Sequence, residues 1–507
     1  MGKTPVIHPV LFALYPVLFL YSYNIDKTPV KQMFISIIIT ILFTVIIWLL
    51  AGLIVKNIQK AGLLASLFLI LFFTYGRAYD LLYYSGIKIK EPRYLLIIWL
   101  LIFIFISYFL ITKCREFHNF TRILNCIGVI LVSISLFNII IPLTNMYLYN
   151  LGLSERTEDT IKQVERLKTD NLPNIYYIIL DSYVRDDVLK EVYKYDNSDF
   201  LNYLKEKGFY IADKSRSNYC QTFLSVASSL NTNYLDNTVK LIGDESTDRS
   251  ELIRMIQYNR VVSFLKQYDY TFVAFSTGYN ETEIWNADLY INSRPVTEFQ
   301  FILIMTTPLP DILGDIISPY DVYRYQFLHT LELLPETTKM KSPIFIFVHL
   351  QGPHTPFIFG ENGEKTSFFT ERQITSKETY YKEGYRKQLH FVNKKVKETI
   401  DKIISNSSVP PVIILQGDHG TAFVNLDDIE HINPKQMLSI LNAYYLPGNG
   451  REKLYRDITP VNSFRVIFNY YFNTNLPILK DKSYLSTEKH PYKFMDVTDK
   501  INIERRK

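Results

Sequence analysis

Long apolar runs crowd the first 150 positions, and short ones punctuate the rest of the chain. Five stand out at the start, over residues 6–23, 32–55, 61–75, 94–112 and 123–149. At about 1.5 Å per residue, a helix over 32–55 covers the roughly 30 Å hydrocarbon core of a bilayer. The first run follows Lys3 and resembles a signal peptide, but no small-x-small cleavage pattern follows it and further apolar runs do. It therefore reads as a retained helix. The pattern predicts a multi-pass membrane domain over residues 1–150, with about five transmembrane helices.

A different rhythm begins after residue 150. Residues 151–172 are polar and helix-compatible, and read as a connector. Beyond them, short apolar runs rich in β-formers occur at NIYYIILD (174–181), TFVAFST (271–277), IFIFVHL (344–350), VIILQGD (412–418) and LSILNAYYL (438–446). Helical periodicity fills the intervals 187–207, 251–267, 377–405 and 459–472. Continuous apolar strands alternating with helices predict an α/β domain over 173–480, its central, mostly parallel sheet covered on both faces. Residues 481–507 read as a C-terminal tail.

Charge follows the same division. The formal net charge of +5 comes from lysines and arginines flanking the apolar runs; the part beyond residue 150 is net negative. No basic footprint for nucleic acid exists, and that partner is excluded. Lysines and arginines divide evenly between the two sides of the five-helix arrangement, so charge alone does not orient it. Helix parity with a cytoplasmic start puts the α/β domain outside. Three cysteines, Cys114, Cys126 and Cys220, are too few for a disulfide framework.

In open α/β sheets ligands gather beyond the carboxyl ends of the strands, so the polar residues there are examined first. Gly-Asp-His-Gly after the 412–416 run sets Asp418 and His419 side by side on a glycine-flanked turn, a donor pair suited to a divalent metal. The alternative is an ordinary turn in which Asp caps the next element. Asp181 ends the first strand as a further candidate ligand, although it too has a capping alternative. Thr222 lies where a polar loop enters a helix of small residues, and helix N–H groups there favour developing negative charge. A plain N-cap is the competing reading. His349 and His354 flank a Gly-Pro turn after the 344–350 run, and are candidates for donating to phosphate or protonating a leaving group.

In order along the chain, these four segments resemble the alkaline phosphatase/sulfatase superfamily. Within it they look most like lipoteichoic acid synthases and lipid A phosphoethanolamine transferases, which also carry five membrane helices before the enzyme domain. The resemblance implies that Asp181, Thr222, Asp418 and His419 hold one divalent cation (Mn or Zn, with Mg or Ca as alternatives) and that Thr222 is the nucleophile. It places substrate on His354 and His349, with Arg185 and Trp285 as further pocket residues. The implied reaction moves a phosphoglycerol or phosphoethanolamine headgroup from a membrane phospholipid to an envelope glycan or glycolipid, on the extracytoplasmic face of the cell membrane. A membrane-anchored hydrolase, a phosphodiesterase or sulfatase acting on envelope glycans, is the alternative. Two departures stand out: Asp181 occupies a position where the transferases usually carry Glu, and Cys220 lacks the Pro and Arg of the sulfatase modification motif.

Overall fold

The computed structural model describes residues 4–25, 28–85, 93–113, 117–154, 172–313, 319–366 and 378–501. The chain forms two compact units, one of Met1–Thr160 with Val296–Pro319, the other of Ile161–Pro295 with Tyr320–Lys507. Most of the 151–172 connector lies outside the described residues.

Among the described residues, the N-terminal part of the first unit forms five apolar helices: α1 (His8–Ser22), α2 (Val30–Val55), α3 (Ile58–Tyr84), α4 (Arg93–Thr112) and α5 (Phe117–Ser154). Four are long and apolar enough to cross a membrane, and the chain is a membrane protein. The exception is α1, whose 15 residues rise only about 22 Å. It is instead the inner helix, packed against α2, α3 and α5, with Ala13, Val17 and Tyr21 fully buried. On α2 and α4, by contrast, Ile38, Leu42, Leu53, Ile104 and Phe105 face outward, as lipid-facing side chains must. His8 at the start of α1 is buried and bonded to Ser66, an ionisable residue inside the bundle.

Residues 296–319 depart from the expected division. Although they fall between strands of the α/β part in sequence, they group with the apolar helices. Their helix Glu298–Met305 opens with a reciprocal capping box between Thr297 and Gln300. Its Phe299 and Leu303 join Val17, Leu18, Leu20, Tyr21, Met33 and Ile139 in one buried cluster.

The second unit is built on a seven-stranded sheet in the order β2-β7-β6-β1-β5-β3-β4. The strands are β1 (Ile175–Leu180), β2 (Tyr210–Ile211), β3 (Thr271–Phe275), β4 (Leu289–Ile291), β5 (Ile344–Leu350), β6 (Val412–Gln416) and β7 (Asn442–Tyr445). From β6 to β4 all pairings are parallel, and β7 is antiparallel to β6. Central β1 is buried along its whole length and alternates its side chains between two cores. Tyr176, Ile178 and Leu180 join one with Leu389 and Val396 of the Glu378–Asn406 helix. Ile175, Tyr177 and Ile179 join the other with the Thr222–Asn231 and Pro460–Phe472 helices. Two-faced burial explains why these strands read as continuous apolar runs.

The expected helix over 251–267 is two helices, Ser250–Gln257 and Arg260–Lys266. The break has a local cause: the Asn259 side chain caps the second helix by accepting from the Val262 N–H. The expected tail is also corrected. Residues 484–485 pair with 495–496 as a small antiparallel ladder, and Leu485, Val497 and Ile501 pack around Cys220.

Candidate metal centre

Strand order positions the chemistry. Because β6, β1 and β5 are neighbours and parallel, Asp418, Asp181 and His349 arrive together at their carboxyl ends, where open α/β sheets bind ligands. One ligand atom from each of the three lies within 4.8 Å of the others, and all three residues are buried. His349 Nε2 is 3.4 Å from Asp181 Oδ2. His419 Nε2 is 3.5 Å from Asp418 Oδ2 and 3.8 Å from Asp181 Oδ1. Thr222 completes the group, its Oγ1 3.0 Å from the same nitrogen.

The unsatisfied atoms show what the cluster accommodates. Asp418 Oδ2 and His349 Nε2 are buried without a hydrogen-bond partner, which is costly for a carboxylate oxygen in a dry site. A divalent cation between them removes that cost, and a set of two carboxylates, imidazole nitrogens and a hydroxyl suits a transition metal or zinc. The residues present fit the group.

Hydrogen bonds fix both imidazoles. The Thr282 hydroxyl donates to the Tyr279 carbonyl and so accepts from His349 Nδ1–H at 2.8 Å, which turns the Nε2 lone pair towards the two carboxylates. His419 Nδ1–H donates to the Gly420 carbonyl at 2.8 Å, leaving its Nε2 to accept from Thr222. Exchanging Thr282 for Val keeps the shape and removes the acceptor. Thr282→Val is therefore expected to weaken cation affinity by roughly 10–100-fold, as read by calorimetric titration of the metal-stripped protein.

The electrostatics agree with this arrangement. Burial alone raises the Asp181 carboxyl, but the imidazoles of His354, His349 and His419 outweigh it and hold the group well below the usual carboxylate range. Burial opposes charge on His419, yet the Asp418 and Asp181 carboxylates and the Gly420 carbonyl together raise its pKa. A proton accepted by that ring is thus stabilised where it arrives.

Backbone detail explains the glycines and one strained residue. A Cβ on Gly417 would lie 2.5 Å from the Tyr183 carbonyl oxygen, and one on Gly420 would lie 2.1 Å from that of Gln436. Gly420→Ala is expected to cost about 1–3 kcal/mol in denaturant unfolding, and to lower cation affinity by displacing His419. Ser182 adopts a left-handed φ of 59°, uncommon outside glycine and enriched at functional sites. In that conformation its N–H donates to Asp418 Oδ1 at 3.0 Å and its hydroxyl to Asp181 Oδ1 at 3.2 Å. Ser217 and Ser225 both donate to the Asp418 carbonyl.

Thr222 is the first residue of its helix rather than its cap. Gln221 holds the N-cap position without a side-chain bond, and the Thr222 hydroxyl turns to His419 instead. The loop before it is held by the C-terminal segment: Ser483 Oγ donates to the Ser217 carbonyl, the Tyr484 N–H to the Asn218 carbonyl, and the Gln221 amide to Ser486 Oγ. Cys220 accepts from the Ser486 N–H and is fully buried. Burial raises its thiol pKa, so it is an unreactive structural cysteine.

The other expected site residues separate. His354 is half-buried, its ring centre 6.3 Å from that of His419 and its N–H bonded to the Asp181 carbonyl. His349, expected on the substrate, instead stands inside the carboxylate cluster. The Arg185 guanidinium is engaged by both Asp187 oxygens and the Ser215 carbonyl. Trp285 Nε1 is buried without a hydrogen-bond partner. Ser182, Thr282 and Tyr279 escaped the sequence reading. Only Ser182 carried a signal, as the residue directly after the strand-end acid.

Comparison with known proteins follows the geometry. The periplasmic domain of EptC from Escherichia coli in complex with Zn aligns at 13% identity and a TM-score of 0.44, over 67% of this chain and 96% of that one. The periplasmic domain of phosphoethanolamine transferase EptC from Campylobacter jejuni aligns at 12% and 0.39, over 64% and 94%. The integral membrane lipooligosaccharide phosphoethanolamine transferase A from Neisseria meningitidis aligns at 10% and 0.41, over 92% and 96%. No curated protein matches the chain. The sulfatase family model matches residues 173–466, more than half of the sequence, and the chain is thus a sulfatase-family member, an enzyme of the alkaline phosphatase superfamily.

Proposed function

We propose that the chain transfers a phospholipid-derived phospho-headgroup, phosphoglycerol or phosphoethanolamine, to a hydroxyl of an envelope glycan or glycolipid, on the extracytoplasmic face of the membrane. The observation that carries this reading is the Thr222 hydroxyl at a helix N-terminus, 3.0 Å from His419 Nε2 and beside the buried Asp181–His349–Asp418 group. Cys220 is structurally committed, and Thr222 brings a hydroxyl to both the helix N-terminus and His419 Nε2, which supports it as the nucleophile. Membrane helices in the same chain suit a donor that is itself a lipid.

Two displacements make up the reaction. Thr222 Oγ attacks the phosphodiester phosphorus while its proton passes to His419 Nε2. The new Oγ–P bond replaces the P–O bond to diacylglycerol, whose departing oxygen takes a proton from His354 at the mouth of the site. In the second half an acceptor hydroxyl gives up its proton to His354 and forms its own bond to phosphorus, while the Oγ–P bond breaks and Thr222 Oγ takes back its proton from His419 Nε2. Held by Asp181, Asp418 and His349, a divalent cation would lower the pKa of the hydroxyl and offset negative charge on the phosphoryl oxygens. N–H groups at the start of the Thr222–Asn231 helix add to that stabilisation. The hydrolase alternative uses the same residues with water as acceptor.

The test supplies purified full-length protein with Mn²⁺ or Zn²⁺ and headgroup-labelled phosphatidylglycerol or phosphatidylethanolamine. Support for the reading is diacylglycerol release together with label on the peptide containing Thr222. If neither lipid is consumed with either metal, the transferase reading is wrong.

A further inference from the structure

Residues 296–313 carry an inference that neither the family nor the proposed reaction contains. The chain leaves the α/β unit near Pro295, enters the unit of apolar helices, and returns by Tyr320. The Glu298–Met305 helix is apolar nearly all round, reading EFQFILIM. Phe299 and Leu303 are buried against α1, α2 and α5, with Phe299 edge-on to Tyr21 at 6.2 Å. On the other side Met305 and Ile312 are exposed, 40% and 58%. A helix apolar nearly all round belongs in a core or in lipid, and these outward side chains are apolar, like those on the exterior of α2 and α4. Its 8 residues rise about 12 Å, far short of the roughly 30 Å needed to span.

Several polar groups of the segment are met by protein. Where the helix ends, the hydroxyls of Thr306 and Thr307 donate back to the Leu303 and Ile304 carbonyls at 2.7 and 2.6 Å. The Thr306 carbonyl accepts from the Gly76 N–H of α3 at 3.0 Å, an approach open only to glycine, since a Cβ there would lie 2.1 Å from the Met305 carbonyl oxygen. The Asp311 carboxylate accepts from the Tyr75 hydroxyl. Irregular backbone at membrane depth is tolerated only when its polar groups are met by protein, and here α3 meets them. The cluster includes the last turns of α1 and the first turn of α2, the half of the bundle from which the end of α5 leads on to the α/β part.

We propose that residues 296–313 are a membrane-embedded insert of the α/β half, sunk part-way into one leaflet and docked on α1, α2 and α3. The half is therefore attached twice, covalently through α5 and non-covalently through this insert, and the outward faces of Met305 and Ile312 contact lipid acyl chains.

A specific protease site placed between residues 156 and 170 of the full-length protein in membranes tests this. After cleavage, confirmed by gel, the α/β half is expected to stay in the pellet through an alkaline carbonate wash. Phe299→Asp combined with Leu303→Asp is expected to raise its soluble fraction at least tenfold. Gly76→Leu, which lies on α3 and leaves the fold of the released half untouched, is expected to do the same. Release by cleavage alone overturns the proposal, as does retention of both variants at the level of the unmutated protein. A photoactivatable fatty-acyl lipid is expected to label the peptide containing Met305 and Ile312; absence of label overturns the lipid contact.

Discussion

Thr222→Ala is expected to remove headgroup transfer by on the order of 10⁴-fold or more, the scale on which enzymes lose activity with their nucleophile. The helix N-terminus and the His419 acceptor remain in this variant, so cation binding should weaken much less than turnover. Thr222→Ser keeps a hydroxyl at the first position of the helix and is expected to retain measurable activity. The contrast is informative because the hydroxyl makes no cap for its own helix, and its loss should leave folding stability nearly unchanged. Release of diacylglycerol measures the first displacement, and mass analysis of the Thr222 peptide measures the intermediate. Turnover by Thr222→Ala within tenfold of the unmutated protein would refute the nucleophile assignment.

Asp418→Asn is the second large effect, and it separates two properties that usually move together. The Oδ1 position can still accept the Ser182 N–H that reaches it at 3.0 Å, so the turn is expected to persist. The unpartnered Oδ2 becomes an amide donor facing His349 and Asp181, and the charge that holds a cation is gone. Affinity is expected to fall by more than about 100-fold, beyond the range for outer-shell substitutions. Without metal, however, the variant is expected to be at least as resistant to heat as the unmutated protein, because one uncompensated buried carboxylate has been removed. Metal titration followed by thermal unfolding, with and without the cation, reads both. An unmutated protein whose melting temperature ignores the cation would rule out the metal centre.

The sequence made the strands legible where burial on both faces leaves an uninterrupted apolar run, as in β1, β5 and β6. Those three strands end in the acids and histidines, so much of the candidate site could be placed from strand ends alone. β2 and β4 were missed because two or three residues carry no periodic signal. The direction of the His349 ring depends on Thr282, sixty-seven positions away, and no local pattern encodes that bond. Arg185 looked available for the same reason: only the folded chain reveals Asp187 and the Ser215 carbonyl around its guanidinium. The 296–313 segment was overlooked since an apolar stretch this short reads equally well as a buried helix of an α/β domain. Its assignment to the membrane helices rests on tertiary contacts.

The clasp formed by residues 483–486 has a consequence for when the enzyme becomes competent. A ribosome delivers chain from the amino end, and domains fold as their residues emerge. Asp181, Thr222, His349, Asp418 and His419 are all made before the residues that secure the Ser217–Gln221 loop. A nascent chain can therefore assemble its carboxylates and imidazoles while the support of the loop before Thr222 is still missing. The complete candidate site, with its loop secured, is expected only once Ser486 has been synthesised and seated against Cys220.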